Sequence, residues 1–156
     1  MNKKDTVVFD LDGTLLDTLE DLKNSVNYAM TQCGYPEHTL DEVRRYVGNG
    51  ILLLMQRAIP GGKDDPNFDK AFTLFKEHYG KHCNDTTKPY AGIMELLHTL
   101  KENNIKIAIV SNKADFAVKE LNAIYFKDLI LVAIGEKESE GIRKKPAPDT
   151  VIEALK

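Results

Sequence analysis

The sequence predicts an α/β fold, in which a doubly wound parallel sheet carries an inserted helical cap. Short β-branched runs alternate with stretches of helical spacing over most of the chain, which is the pattern of parallel strands joined by right-handed crossovers. Residues 17–84 have helical spacing throughout and contain no strand pattern. Polar clusters follow the predicted strands, and ligands of such sheets bind at the carboxyl ends of the strands.

The first strand and the helices of the cap are predicted by apolar spacing and by residues that begin or end helices. Residues 6–9 are β-branched and aromatic, which favours a buried strand. Apolar residues recur at helical spacing over residues 19–33, and Gly34 is a typical helix end. Thr39 and Glu42 form a capping-box pattern, which predicts the start of a second helix. Two more helices are predicted, over residues 51–59 and from residue 68.

The rest of the chain alternates between helices and strands. Residues 84–90 are polar and include a proline, so we predict a linker there. The elements predicted after it are a helix over residues 92–103, a strand over 105–110, a helix over 115–123, a strand over 129–134 and a helix from about residue 148. We therefore assign residues 1–16 and 85–156 to the α/β core and residues 17–84 to the helical cap.

Composition argues against several classes of partner. The chain is 42% hydrophobic and 29% charged, as in ordinary globular proteins. Its formal net charge of -3 argues against a nucleic-acid partner, which needs a basic surface. No apolar run approaches the roughly 20 residues that a membrane span needs. The first residues form no apolar leader and the two cysteines form no C-x-x-C pair, so we predict a cytoplasmic protein.

Asp10 and Asp12 follow the first predicted strand and suit two different tasks. A carboxylate is ionised at neutral pH, so Asp10 would be a nucleophile without help from a base. Asp12 would be free to act as general acid and base. A magnesium ion and the ammonium of Lys145 would relieve the repulsion between Asp10 and a phosphate, and the Ser111 hydroxyl would hold phosphate oxygens. A lone D-x-D-G turn is common, so this interpretation depends on the combination and order of these groups.

Three motifs resemble those of the haloacid dehalogenase superfamily, in the form that its phosphatases use. They are DLDGTLLDT at residues 10–18, VSNK at residues 110–113 and KPAPD at residues 145–149. YVGNG at residues 46–50, followed by QRA at residues 56–58, is similar to the cap segment of phosphoglycolate phosphatases. The resemblance covers essentially the whole chain. It implies a magnesium-dependent phosphomonoester hydrolase, with 2-phosphoglycolate as the first expected substrate.

The resemblance also implies a role for each matched residue. Asp10 would attack phosphorus and form an aspartyl-phosphate, and Asp12 would protonate the leaving alcohol and then activate water. Mg²⁺ would bind to the Asp10 carboxylate and to the Asp12 backbone carbonyl. The residues expected to position the phosphoryl group are Thr14, Ser111, Asn112 and Lys145. The residues of the cap expected to face the substrate, a small phosphorylated metabolite, are Gly48, Asn49 and Gly50.

The sequence departs from the family pattern at its carboxyl end. The family has a fourth motif, an acidic pair after a further strand, which completes the magnesium shell. No residues match it before the chain ends at Lys156, so we expect a C-terminally truncated form of a longer phosphatase. The alternatives are a β-phosphoglucomutase-like or pyrophosphatase-like enzyme of the same superfamily, a receiver-type domain that accepts phosphate for signalling, and an inactive fragment.

Overall fold

The structure is a computed structural model, and it describes residues 4–156. Residues up to Asp17 form one compact unit together with Pro89–Lys156, and Thr18–Lys88 form a second. In chain order the elements are β1 (Thr6–Phe9), β2 (Leu16–Asp17), α1 (Leu19–Gln32), α2 (Leu40–Tyr46), α3 (Ile51–Ala58), α4 (Phe68–His82), β3 (Lys88–Pro89), α5 (Ile93–Glu102), β4 (Lys106–Ala114), α6 (Asp115–Tyr125), β5 (Val132–Glu136) and α7 (Asp149–Ala154).

The first unit contains a three-stranded parallel sheet in the order β1-β4-β5. Thr6 of β1 lies opposite Lys106 of β4, and Ala108 of β4 lies opposite Val132 of β5. Parallel neighbours need a crossover connection, and α6 supplies it between β4 and β5. The predicted α/β class with a parallel sheet is therefore confirmed. The buried apolar core of this unit comprises Leu11, Leu15, Leu16, Leu97, Ile107, Ile109, Val118, Leu121, Phe126, Ile130 and Ala133.

Two strand boundaries differ from the prediction, and a short strand lies where a linker is predicted. Strand β5 begins at Val132 rather than at residue 129, because the apolar stretch before it is a turn. The backbone N–H groups of Leu129 and Ile130 both donate to the Phe126 carbonyl oxygen at 2.9 Å, and their side chains pack on the core. Strand β4 continues past the predicted end at residue 110 to Ala114. Strand β3 lies within the predicted linker.

The second unit is built around the four helices α1–α4. Gly34, just past the end of α1, has a φ of +77°, and the Tyr35 N–H donates to the Met30 carbonyl oxygen at 2.9 Å. The predicted capping box begins α2: the Thr39 hydroxyl accepts from the Glu42 N–H, and the Glu42 carboxylate accepts from the Thr39 N–H, each at 3.2 Å. Over residues 4–156, no helix has the length and apolar character that crossing a bilayer requires. The buried core of this unit comprises Leu22, Val26, Ala29, Met30, Val43, Leu54, Met55, Ala58, Ile59, Phe68, Ala71, Phe75, Tyr79 and Cys83.

Gly135 of β5 lies so close to the neighbouring backbone that a larger residue does not fit. A Cβ atom there would lie 2.5 Å from both the Lys113 carbonyl oxygen and the Asp115 Cα atom. Because these are backbone atoms, we expect Gly135→Ala to lower the free energy of unfolding by about 1–3 kcal/mol. Gly80→Ala is the control: it lies in α4, and a Cβ there meets nothing within 4 Å.

Urea unfolding of the two glycine variants tests this argument. Alanine is the better helix former by ~1 kcal/mol, so Gly80→Ala should raise the free energy of unfolding. A Gly135→Ala variant as stable as the unchanged protein would contradict the close backbone approach.

Candidate active site

Asp10 follows β1 directly and forms an ion pair with Lys145 at the carboxyl end of the sheet. Lys145 Nζ lies 2.9 Å from Asp10 Oδ1 and also 2.9 Å from the Val110 carbonyl oxygen. The side chains of Asp10 and Lys145 are 43% and 30% exposed, so both groups are accessible to a ligand. The fold thus brings together two predicted site residues that are 135 positions apart in the sequence.

A tight turn after Asp10 carries the rest of the first motif. The Leu11 carbonyl oxygen accepts three backbone N–H groups at 3.2, 3.0 and 3.1 Å, those of Thr14, Leu15 and Leu16. Gly13 has a φ of +77°, which glycine adopts without steric cost. The leucines of the turn are fully buried, whereas Gly13 and Thr14 are exposed. The apolar residues of the motif therefore anchor the turn, and its polar residues face solvent.

Asn112 binds the loop that carries Lys145. Its Nδ2 donates to the Lys145 carbonyl oxygen at 3.1 Å, and its Oδ1 accepts from the Lys145 N–H at 2.9 Å. Arg143 and Asp149 close the same loop with two side-chain bonds of 2.8 and 2.7 Å, and the guanidinium holds the pKa of Asp149 below its ordinary value. Asn112 therefore positions Lys145, and direct contact of Asn112 with a phosphoryl group stays a prediction.

Ser111 is buried in β4, with 2% of its surface exposed. Its Oγ accepts from the Lys113 backbone N–H at 3.1 Å. A hydroxyl that accepts in this way keeps its own hydrogen for donation, so Ser111 retains the group that a phosphate oxygen would need.

Lys113 also belongs to the site, although no role for it was predicted from the sequence. Its Nζ lies 3.1 and 3.3 Å from the two carboxylate oxygens of Asp12, which is 101 positions away in the sequence. The Lys113 side chain is only 3% exposed, and a buried ammonium is costly unless an anion compensates it. The signal in the sequence that could have identified Lys113 is its charge. Because β4 continues to Ala114, Lys113 lies in a buried strand, and a buried ammonium needs an acidic partner.

Asp115 joins the end of β5 to the start of α6. Its Oδ1 accepts from the Gly135 N–H at 2.9 Å. Burial raises the pKa of Asp115, but the Gly135 N–H and the Lys119 ammonium outweigh burial, and the pKa lies below its ordinary value. Asp115 is therefore a stable anion that fixes the β4–α6 junction beside Lys113.

The predicted cap loop lies in the second unit, between α2 and α3. Gly48 and Gly50 have φ values of +114° and +91°, conformations that favour glycine. Arg57 Nη1 donates to Asn49 Oδ1 at 3.1 Å and to the Tyr46 carbonyl oxygen at 2.8 Å. Arg57 therefore shapes this loop, and contact of the loop with a substrate stays a prediction.

The fold and these residues define an α/β protein with two aspartate–lysine pairs at the carboxyl end of a parallel sheet. The sequence model of the family described as haloacid dehalogenase-like hydrolase matches residues 7–156. The chain belongs to this family.

Curated relatives of the chain are phosphoglycolate phosphatases. That of Nitrosospira multiformis is 33% identical over 153 residues, which cover 95% of this chain and 66% of that protein. That of Aquifex aeolicus is 32% identical over 153 residues, which cover 96% of this chain and 68% of that protein. That of Thiobacillus denitrificans is 36% identical over 113 residues, which cover 70% of this chain and 50% of that protein. The chain therefore spans between half and about two thirds of the length of these relatives.

Solved structures show the same fold. A protein of Lactobacillus delbrueckii subsp. bulgaricus, whose assignment as a phosphoglycolate phosphatase is itself a prediction, superimposes with a TM-score of 0.90 at 33% identity, over 99% of this chain and 73% of that one. A predicted phosphoglycolate phosphatase of Haemophilus somnus superimposes with a TM-score of 0.86 at 27% identity, over 98% and 71%.

Proposed function

We propose that this chain carries the nucleophile of a phosphomonoester hydrolase that works through an aspartyl-phosphate. The observation that supports this is the ion pair between the exposed Asp10 carboxylate and Lys145, at the carboxyl end of the sheet. An ammonium beside the nucleophile offsets the repulsion between a carboxylate and an incoming phosphate. Membership of a hydrolase family supports the same chemistry.

The reaction has two steps, and Asp12 transfers a proton in each. In the first, an Asp10 oxygen bonds to phosphorus, the bond between phosphorus and the alcohol oxygen breaks, and that oxygen takes a proton from the Asp12 carboxyl group. In the second, Asp12 takes a proton from water, the water oxygen bonds to phosphorus, and the bond from phosphorus to Asp10 breaks. Thr14 and Ser111 would hold phosphate oxygens during both steps.

Magnesium is the cofactor that phosphatases of this family generally use. Mg²⁺ binds oxygen ligands, often one or two carboxylates together with water. The exposed Asp10 carboxylate and the Asp12 backbone carbonyl are donors of this kind, and we propose that they hold the ion. Among residues 4–156, no three Asp, Glu, His or Cys side chains are grouped as a metal site. When bound, the ion would neutralise charge on the phosphoryl group.

The proposed substrate is a small phosphorylated metabolite, with 2-phosphoglycolate as the first candidate. The support is the name carried by the relatives that are 32–36% identical to this chain. The net charge of -3 argues against a nucleic-acid substrate. The proposed compartment is the cytoplasm, and two cysteines that form no C-x-x-C pair, Cys33 and Cys83, are compatible with its reducing conditions.

Phosphate release from a panel of phosphate esters tests the proposal. The panel contains 2-phosphoglycolate, β-glucose 1-phosphate, pyrophosphate and p-nitrophenyl phosphate, each with and without Mg²⁺. We expect magnesium-dependent release from 2-phosphoglycolate. An isomerised sugar phosphate without release would instead indicate a mutase, and a phospho-aspartate that persists for minutes would indicate a receiver-type acceptor. No release from any ester would indicate the remaining alternative, an inactive fragment, and would contradict the proposed activity of this chain.

Lys145→Met should lower kcat/KM for phosphate release by roughly 100-fold or more, because it removes the ammonium that faces the nucleophile. Methionine keeps most of the length of the side chain but no charge. Lys144→Met is the matched control, since Lys144 pairs with Glu138 and not with Asp10. Steady-state kinetics on the same ester compares the two, and equal activity of both variants would remove Lys145 from the active site.

A further inference from the structure

We propose that Lys113 is a positioning residue, which orients the Asp12 carboxylate for its two proton transfers. The inference rests on the function proposed above and adds a residue to it. Lys113 Nζ contacts both Asp12 oxygens, at 3.1 and 3.3 Å. A cation bound to both oxygens restricts rotation of the carboxylate plane, which a single hydrogen bond would leave free.

The backbone around Lys113 is fixed on both sides. Its N–H donates to Ser111 Oγ at 3.1 Å, and its carbonyl oxygen faces β5, where a Cβ on Gly135 would approach it to 2.5 Å. The β4–β5 pairing shifts register between Val110 and Ala114, and such irregularities re-aim side chains near functional sites. The buried side chain is therefore directed from a rigid strand to the carboxylate of Asp12.

Asp12 needs such support because it lies in a turn, with a side chain that is 26% exposed. Proton transfer requires the donor and acceptor atoms to come within about 2.6–3.2 Å of each other. A carboxylate that rotates out of this range would slow both the protonation of the alcohol and the activation of water. Lys113 restricts that rotation from a position where it need not contact the substrate.

Two esters with different leaving groups can distinguish a role of Lys113 in positioning Asp12 from a general effect of Lys113 on folding. An alkoxide needs a proton in order to leave, whereas p-nitrophenolate leaves without one, so only the alkyl ester depends on Asp12 in the first step. We expect Lys113→Met to lower kcat for 2-phosphoglycolate by about 100-fold with little change in KM. With p-nitrophenyl phosphate, the rate of the first step should stay within about threefold of the rate in the unchanged protein. Hydrolysis of the aspartyl-phosphate should then become the rate-limiting step. p-Nitrophenol should then appear as an initial burst.

Two further variants control this test. Lys106→Met removes an exposed lysine from the start of the same strand and should change neither rate. Lys113→Arg keeps the cation and should recover part of kcat. An equal loss on both esters, with no burst, would overturn the positioning role and make Lys113 a structural residue.

Failure of the proposed function gives a different result from failure of this inference. If the unchanged chain releases no phosphate from any ester, the hydrolase proposal is wrong and the positioning role with it. The Asp12–Lys113 contact is then judged by thermal unfolding of Lys113→Met, Asp12→Asn and the double variant. If the double variant loses less stability than the sum of the losses in the two single variants, the Asp12–Lys113 contact is confirmed. Additive losses refute the contact.

Discussion

Asp10→Asn should abolish phosphate release from every ester, with a loss in kcat of roughly a thousandfold or more, or about 4 kcal/mol of activation free energy. An amide oxygen carries no negative charge and forms no stable acyl phosphate, so the first step has no nucleophile. Mass spectrometry of acid-quenched chains should find the phosphoryl adduct in the unchanged protein and none in the variant. Because the Asp10 side chain is 43% exposed, the variant should fold normally.

Asp5→Asn is the matched control for the nucleophile. Asp5 precedes β1, at the opposite end of the strand from Asp10, and its side chain accepts a bond from the neighbouring Thr6 hydroxyl at 3.0 Å. This variant should keep full activity. Release that survives in Asp10→Asn without an adduct would mean that water attacks phosphorus directly, and the covalent mechanism would then be wrong.

The fold class could be predicted because its main signals are local. Four residues suffice to predict β1, and the capping box at Thr39 and Glu42 predicts the start of α2 from a spacing of three. The error at β5 has a physical cause, since an apolar run must be buried whether it is a strand or a turn. Ile130 is 1% exposed in the turn after α6, so its hydrophobicity alone does not distinguish the two.

The candidate site could be predicted only where its residues follow strand ends. Asp10 and Lys145 meet as expected, because the order of the strands brings their segments to one edge of the sheet. Lys113 was missed because its burial depends on how far β4 extends, which apolar spacing does not show. The bond from Asn112 to the Lys145 backbone depends on a loop conformation between residues 33 positions apart, which no local pattern encodes.

The role of Asp21 was also not predictable from the sequence. Replacing Asp21 should have the largest effect on the stability of the second unit. It lies in the first turn of α1 with 1% of its surface exposed. Its two oxygens accept from the backbone N–H groups of Thr86 and Thr87 at 2.9–3.1 Å, and from both threonine hydroxyls at 2.8 Å. These donors are more than 60 positions away, just past α4, so one carboxylate ties the two ends of the helical unit together.

Asp21→Asn should lower the free energy of unfolding of the second unit by about 3 kcal/mol, because charge-assisted bonds contribute about 1.5–3 kcal/mol and buried donors without an acceptor are costly. The new amide group would point its own N–H donors at the threonine donors. Asp69→Asn is the matched control: it lies in the first turn of α4 and is exposed, so it has the same interaction with a helix dipole but no buried network. Urea unfolding, together with hydrogen exchange at the Thr86 and Thr87 amides, measures both variants. Faster exchange at those two amides in Asp21→Asn alone is the expected result, whereas equal stability of the two variants would show that the network contributes little to holding the unit together.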